Sequence, residues 1–68
     1  MKTLAEIAEE YERNLVLLRQ RRTEVQTQLK SERNLNMRKR LWHRAVMLED
    51  MIDDGFHALQ TMRGDIRG

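Results

Sequence analysis

The chain has 68 residues, no Cys, no Pro and only three Gly; 35% of its residues are charged and its formal net charge is +2. So short a chain forms at most one domain, placed at residues 1–68, and the lack of Cys excludes disulfides and thiolate metal sites. Low Gly and Pro content favours long helices over a many-turned β fold.

Apolar periodicity predicts a first helix over about residues 3–32. The apolar residues alternate steps of four and three, the spacing that keeps one stripe of a helix against a partner helix. Thr3 and Glu6 fit a capping box, in which the Thr3 hydroxyl accepts from the Glu6 N–H and the Glu6 carboxylate accepts from the Thr3 N–H. The stripe comprises Leu4, Ala8, Tyr11, Leu15, Leu18, Arg22, Val25 and Leu29.

The periodicity breaks between residues 30 and 40, which predicts a turn over about residues 33–36. Asn34 suits the left-handed conformation that ends helices, and Asn36 suits the N-cap of a second helix. This second helix is predicted over about residues 37–63, with Gly64 as its C-cap residue. Its own stripe comprises Leu41, Ala45, Leu48, Ile52, Gly55, Leu59, Met62 and Ile66.

Together the two stripes predict an all-α fold, an antiparallel two-helix hairpin of coiled-coil type. Pairing residues whose numbers sum to about 70 puts Leu15 opposite Gly55, where the missing side chain leaves room for the leucine. Charge favours the same register, because it brings together two groups: Arg19 and Arg22 with Glu49, Asp50 and Asp53, and Glu6 with Arg63.

Apolar residues outside the two stripes predict a further interface. A helix widens its apolar stripe when it contacts more than one neighbour, and small helical chains commonly assemble with two-fold symmetry. We therefore expect a homodimer that forms a four-helix bundle. A groove for a partner protein's helix, a lone hairpin and a longer trimeric coiled coil are the alternatives. The candidate interface residues are Val16, Leu17, Trp42, Val46, Met51 and Phe56.

A basic segment coincides with the predicted turn. Residues 30–44 hold six basic residues and one acidic residue, a local charge of +5, and the rest of the chain carries −3. The helix dipole disfavours cations at the start of helix two, so their presence there suggests a use such as binding phosphates. In an antiparallel dimer, the partner's acidic residues would neutralise the same tip. The candidate nucleic-acid contacts are Arg33, Arg38, Lys39, Arg40 and Arg44.

Catalytic and metal-binding patterns are not evident in the sequence. It has no Gly-rich phosphate loop, no Cys nucleophile and no Ser–His–acid arrangement, so we expect no catalytic residues and no cofactor. Asp54 and His57 have the spacing of bundle metal ligands, but with Asp50 they face away from the seam, so no metal site is predicted. No apolar run reaches membrane-spanning length and no signal peptide is recognisable, so no membrane contact and a cytoplasmic location are expected.

The hairpin plan is similar in outline to small plasmid-encoded RNA-binding proteins that dimerise into four-helix bundles. This likeness is one of architecture and transfers no site, because no residue motif is shared. The sequence thus favours a non-enzymatic interaction or assembly protein acting as a homodimer. The alternative is an accessory or regulatory protein that binds nucleic acid through the basic hairpin tip.

Overall fold

The computed structural model describes the backbone of residues 1–67 and the side chains of residues 1–64. Two α-helices, α1 (Leu4–Ser31) and α2 (Leu35–Arg67), pack against each other and are joined by residues 32–34. The result is a rod with extents of 50 × 18 × 14 Å. The predicted all-α hairpin is confirmed in this part of the chain.

The first helix begins at the predicted cap. Thr3 is the N-cap residue, and its hydroxyl oxygen accepts a hydrogen bond of 3.2 Å from the backbone N–H of Glu6. The second bond differs from the predicted capping box, because the Glu6 carboxylate accepts from the Thr3 hydroxyl at 3.2 Å and not from the Thr3 N–H. The Thr3 side chain therefore makes both contacts that define the start of α1.

The turn is shorter than predicted and contains no left-handed residue. No non-glycine residue in the described part of the chain has a positive φ, so the predicted left-handed Asn34 is wrong. Asn34 is instead the N-cap of α2: its Oδ1 accepts from the N–H groups of Asn36 at 2.9 Å and Met37 at 3.2 Å. The predicted cap, Asn36, therefore lies inside α2, which begins at Leu35.

A side chain replaces the left-handed turn. Glu32 ends α1 in an extended conformation, with φ −81° and ψ 127°. Its carboxylate accepts from the N–H groups of Arg33 at 3.1 Å and Asn34 at 3.0 Å. These bonds satisfy backbone donors that have no helical partner, so the chain can reverse through extended residues.

The second helix also ends later than predicted. Gly64 is not its C-cap, because α2 continues to Arg67. A glycine ends a helix by adopting a positive φ, and none of the described glycines does so. The predicted seam residue Ile66 lies outside the described side chains.

The core follows the two predicted stripes. Two clusters of buried residues lie along the seam, and Leu18 packs against both of them. The predicted register is present, because Leu15 Cδ2 lies 3.0 Å from the position that a Cβ on Gly55 would occupy. Tyr11 and Leu4 remain exposed near the open end of the hairpin. The buried residues are Ala8, Leu15, Val25, Leu41, Ala45, Leu48, Ile52 and Leu59.

The predicted ion pairs across the seam are not formed. Within residues 1–64 the one ion pair between the helices joins Arg63 to Glu12, whereas Glu6 was predicted as the partner. Glu6 instead contacts the Thr3 hydroxyl at the N-terminus of α1. Neither arginine predicted to pair with the acidic residues of α2, Arg19 or Arg22, forms an ion pair in this part of the chain.

Candidate protein interface and basic tip

One side of the hairpin carries an exposed aromatic surface, which we call the aromatic face: Val16 of α1 with Trp42, Val46 and Phe56 of α2. Val16 and Phe56 line one groove, in which Arg19 also lies. Trp42 precedes Phe56 by two heptads, so both residues lie on the same side of α2. Trp42 is 56% exposed and Phe56 is 40% exposed. Two large rings therefore face solvent in the single chain.

The opposite side carries a second apolar surface, the methionine face: Leu17, Met47 and Met51. Met51 lines a groove of about 400 Å³ whose other walls include Arg21 and Arg44. Met47 and Met51 line a neighbouring groove on α2. Leu17 follows Val16 by one residue, about 100° further around α1, which places it on this side.

The structure thus divides the predicted interface residues between two surfaces. Val16, Trp42, Val46 and Phe56 are on the aromatic face, whereas Leu17 and Met51 are on the methionine face. A single flat partner cannot contact both sides of the rod at once. The heptad positions contain this division, but a list of apolar residues outside the seam does not show it.

The exposed apolar side chains outnumber the buried ones. Among the described side chains, twelve large hydrophobic residues are exposed, whereas the core has eight residues, two of them alanine. None of these core side chains is completely buried. Single exposed apolar residues are ordinary, but contiguous apolar patches on a small protein mark interaction surfaces.

Arg38 has a structural role that the sequence interpretation missed. Its guanidinium Nη1 donates to the carbonyl oxygens of Leu29 at 2.8 Å and Glu32 at 2.9 Å. These carbonyls belong to the C-terminus of α1, where helix geometry leaves acceptors unsatisfied and the dipole favours a cation. The charge of Arg38 is therefore unfavourable for the dipole at the N-terminus of α2 but favourable for the dipole at the C-terminus of α1. The short turn between the helices was the signal that could have revealed this contact.

The other basic residues of the tip point to solvent. All five are exposed, and within residues 1–64 none of them forms an ion pair. At the other end of the rod, the Lys2 ammonium donates to the Glu10 carboxylate, and this hydrogen bond lowers the pKa of Glu10. The exposed cations of the tip are Lys30, Arg33, Lys39, Arg40 and Arg44.

Arg22 is the one charged residue in the described seam. It is half-buried, and its Nε is shielded from water without a hydrogen-bond partner in the described part of the chain. An unsatisfied buried donor is unfavourable, typically by about 1–3 kcal/mol. The seam therefore contains a polar group that the single hairpin does not satisfy.

Within the described residues, no group of three or more His, Asp or Glu side chains is arranged to hold a metal ion. No helix in the same part of the chain combines the length and the apolar character needed to cross a membrane. Comparison with protein-family models, curated proteins and solved structures gives no significant match.

Proposed function

We propose that this chain is a non-enzymatic helical interaction protein that acts as a homodimer, two hairpins forming a four-helix bundle. The supporting observation is the surplus of exposed apolar side chains over buried ones. The aromatic face is the favoured interface, because buried Trp and other aromatic residues contribute most to protein association.

The accessible surface supports association. The chain exposes 5737 Å², whereas a compact monomer of 8.2 kDa exposes about 4,500 Å². The difference of roughly 1,200 Å² exceeds the ~800 Å² that each partner buries in an interface of standard size. A dimer through one long side of the rod would therefore remove about two thirds of the excess without any change of fold.

Sedimentation equilibrium at micromolar concentration tests the proposal directly. We expect the mass of a dimer for the natural chain. The double variant Trp42→Gln/Phe56→Gln should weaken dimerisation by several orders of magnitude and sediment as a monomer, because each dimer loses four rings and each ring is expected to contribute about 2 kcal/mol. A compact, helical monomer of the natural chain at these concentrations contradicts the proposal.

The methionine face supplies a matched control. The variant Met47→Gln/Met51→Gln removes two exposed apolar side chains from the same helix, so it should remain dimeric. If this variant dissociates while the aromatic variant does not, the dimer uses the methionine face. A monomer that captures one defined protein partner would favour the alternative of a groove for a partner helix.

A second candidate function is nucleic-acid binding by the tip, which has five exposed cations without ion-pair partners in the described part of the chain. Affinity through phosphates would fall steeply with added salt. The test is fluorescence anisotropy with labelled duplex DNA, single-stranded DNA and an RNA hairpin at low salt. Replacing Lys39, Arg40 and Arg44 by Ala should then reduce the affinity more than tenfold. No binding of the natural chain to any of the three probes excludes this function.

A further inference from the structure

We infer that two copies pack through their aromatic faces in antiparallel orientation, the tip of each hairpin lying beside the termini of the other, with the two-fold axis at Glu49. This inference rests on the proposed homodimer and adds its face, orientation and register. It is carried by three features of the chain that share one midpoint: its charge distribution, the spacing of its exposed rings and an unsatisfied arginine.

The seam register defines the midpoint. Leu15 lies opposite Gly55. Because the helices are antiparallel, each residue added to the α1 position lowers the number of the opposite α2 residue by one. Six such steps place Arg21 opposite Glu49. This level divides the described rod into a tip half, residues 22–48, and a terminal half, residues 1–21 and 49–67.

Formal charge is distributed very unequally about this level. The tip half carries seven basic and two acidic residues, or +5, and the terminal half carries six basic and nine acidic residues, or −3. An antiparallel dimer places each +5 half against a −3 half, whereas a parallel dimer places +5 against +5. Complementary charge determines orientation and register more than affinity, so the charge distribution selects the antiparallel arrangement.

The rings on the aromatic face have the same centre. Trp42 and Phe56 are each seven residues from Glu49, in opposite directions along α2. When two α2 helices pack antiparallel about an axis at Glu49, Trp42 of one copy therefore meets Phe56 of the other. Two such aromatic pairs form in each dimer, one on either side of the axis, and rings that are exposed in the single chain become buried.

Charged residues of α1 obey the same symmetry. Residue 21 lies midway between Glu12 and Lys30, and also midway between Glu9 and Arg33. Glu12 of one copy therefore faces Lys30 of the other when α1 packs antiparallel on the second α1, and Arg33, in the connection that follows α1, lies near the level of Glu9. The tip cations Lys30 and Arg33 then lie against acidic residues near the partner's N-terminus.

The two-fold axis brings the Glu49 carboxylates of both copies close together. Their repulsion would destabilise the dimer unless a cation lay nearby. Arg22 supplies that cation, because it lies in the seam at the same level and its Nε has no hydrogen-bond partner in the described single chain. Two arginines and two glutamates at the axis are electrically balanced. In this arrangement a Glu49 carboxylate at the axis would be the acceptor for the Arg22 guanidinium.

Cysteine cross-linking tests the orientation, since the natural chain has no Cys. In the antiparallel dimer, the Glu49→Cys variant places two thiols at the axis, within disulfide distance of each other. Mild oxidation should link most chains of this variant. The neighbouring variant Asp50→Cys is the matched control and should give only background linking, because residue 50 is turned about 100° away from the aromatic face.

A second pair of variants makes the result independent of the charge of Glu49. In an equimolar mixture of Glu12→Cys and Lys30→Cys chains, the antiparallel dimer should give the mixed disulfide, identified by mass spectrometry. Neither variant alone should link to itself, because equivalent sites are then about 27 Å apart along the axis.

The possible outcomes separate this inference from the proposed function. Linking of Glu49→Cys together with the mixed disulfide supports the antiparallel dimer. A dimer by sedimentation that gives neither product overturns the orientation and leaves the homodimer in place. A monomer by sedimentation overturns both the homodimer and the inference.

Discussion

Gly55 and Leu15 occupy opposite positions of the seam. Two effects with opposite signs decide whether an alanine at position 55 would stabilise the chain. A glycine inside a helix is less stable than alanine by up to about 1 kcal/mol. A Cβ on Gly55 would, however, lie 3.0 Å from Leu15 Cδ2, closer than ordinary van der Waals contact. The atom that would have to shift, Leu15 Cδ2, belongs to a buried side chain.

We therefore predict that Gly55→Ala stabilises the chain more in a Leu15→Ala background than in the natural chain, by at least about 0.5 kcal/mol. Thermal or urea unfolding followed by circular dichroism measures this coupling. Gly64→Ala is the control, because nothing lies within 4 Å of its added Cβ, and it should stabilise α2 in both backgrounds. Equal effects of Gly55→Ala in both backgrounds would show that the Leu15 contact is unimportant.

Arg38 and Arg40 differ in role although they lie two residues apart. Arg38→Ala should destabilise the hairpin by about 1 kcal/mol, because it removes charge-assisted hydrogen bonds to the end of α1. Arg40→Ala should change the free energy of unfolding by less than about 0.5 kcal/mol, as is usual for exposed residues without partners. Urea unfolding compares the two variants, and equal stabilities would contradict the structural role of Arg38.

The residue-scale features differ in how far the sequence predicts them. The Leu15–Gly55 contact follows from apolar spacing and a short connection, which together define one register. The Arg38 contact does not, because its acceptors are carbonyl groups whose position depends on the geometry of residues 32–34. The Arg63–Glu12 pair was mispredicted as Arg63–Glu6 for a similar reason: long side chains on the flanks of a seam reach several partners.

At the scale of the elements, both helices and their shared face were predictable, whereas their inner ends were not. Asn34 and Asn36 are both good N-cap residues, so residue type alone cannot decide between them. The decision is made by Glu32, which binds the backbone N–H groups of the turn and lets α2 begin early. The end of α2 was missed because glycine permits a helix to end but does not require it.

The two asparagines give a test of the turn. Asn34→Ala should cost about 1 kcal/mol of stability, because the Oδ1 that accepts from Asn36 and Met37 is lost. Asn36→Ala lies within the first turn of α2 and should be neutral or slightly stabilising, since alanine is the better helix former. Chemical denaturation distinguishes the two variants. A larger loss for Asn36→Ala would restore Asn36 as the N-cap.

At the scale of the whole molecule, the hairpin is a rod with charge of opposite sign at its two ends and an apolar surface on each long side. The sequence predicted the apolar surplus and the basic tip, but it treated the candidate interface residues as one set. Their division between the aromatic and methionine faces is contained in the heptad positions, and the grooves beside the seam agree with it, with Val16 and Phe56 on one side and Met51 on the other. One face is sufficient for a two-fold dimer, so the other remains exposed in it.

Reversing the charges of residues 30 and 12 tests the antiparallel orientation of the proposed dimer. Lys30→Glu should weaken an antiparallel dimer roughly 3- to 30-fold, because two exposed ion pairs become repulsive and each pair contributes up to about 1 kcal/mol. Adding Glu12→Lys to the same chain should restore most of the lost affinity, since residue 30 of each copy then again faces an opposite charge at residue 12 of the other, although the ion pair of residue 12 with Arg63 within each hairpin is lost. The dimer dissociation constant is measured by diluting the protein and recording the fluorescence of Trp42, the only tryptophan. In a parallel dimer residues 12 and 30 are far apart, and the second substitution would restore nothing.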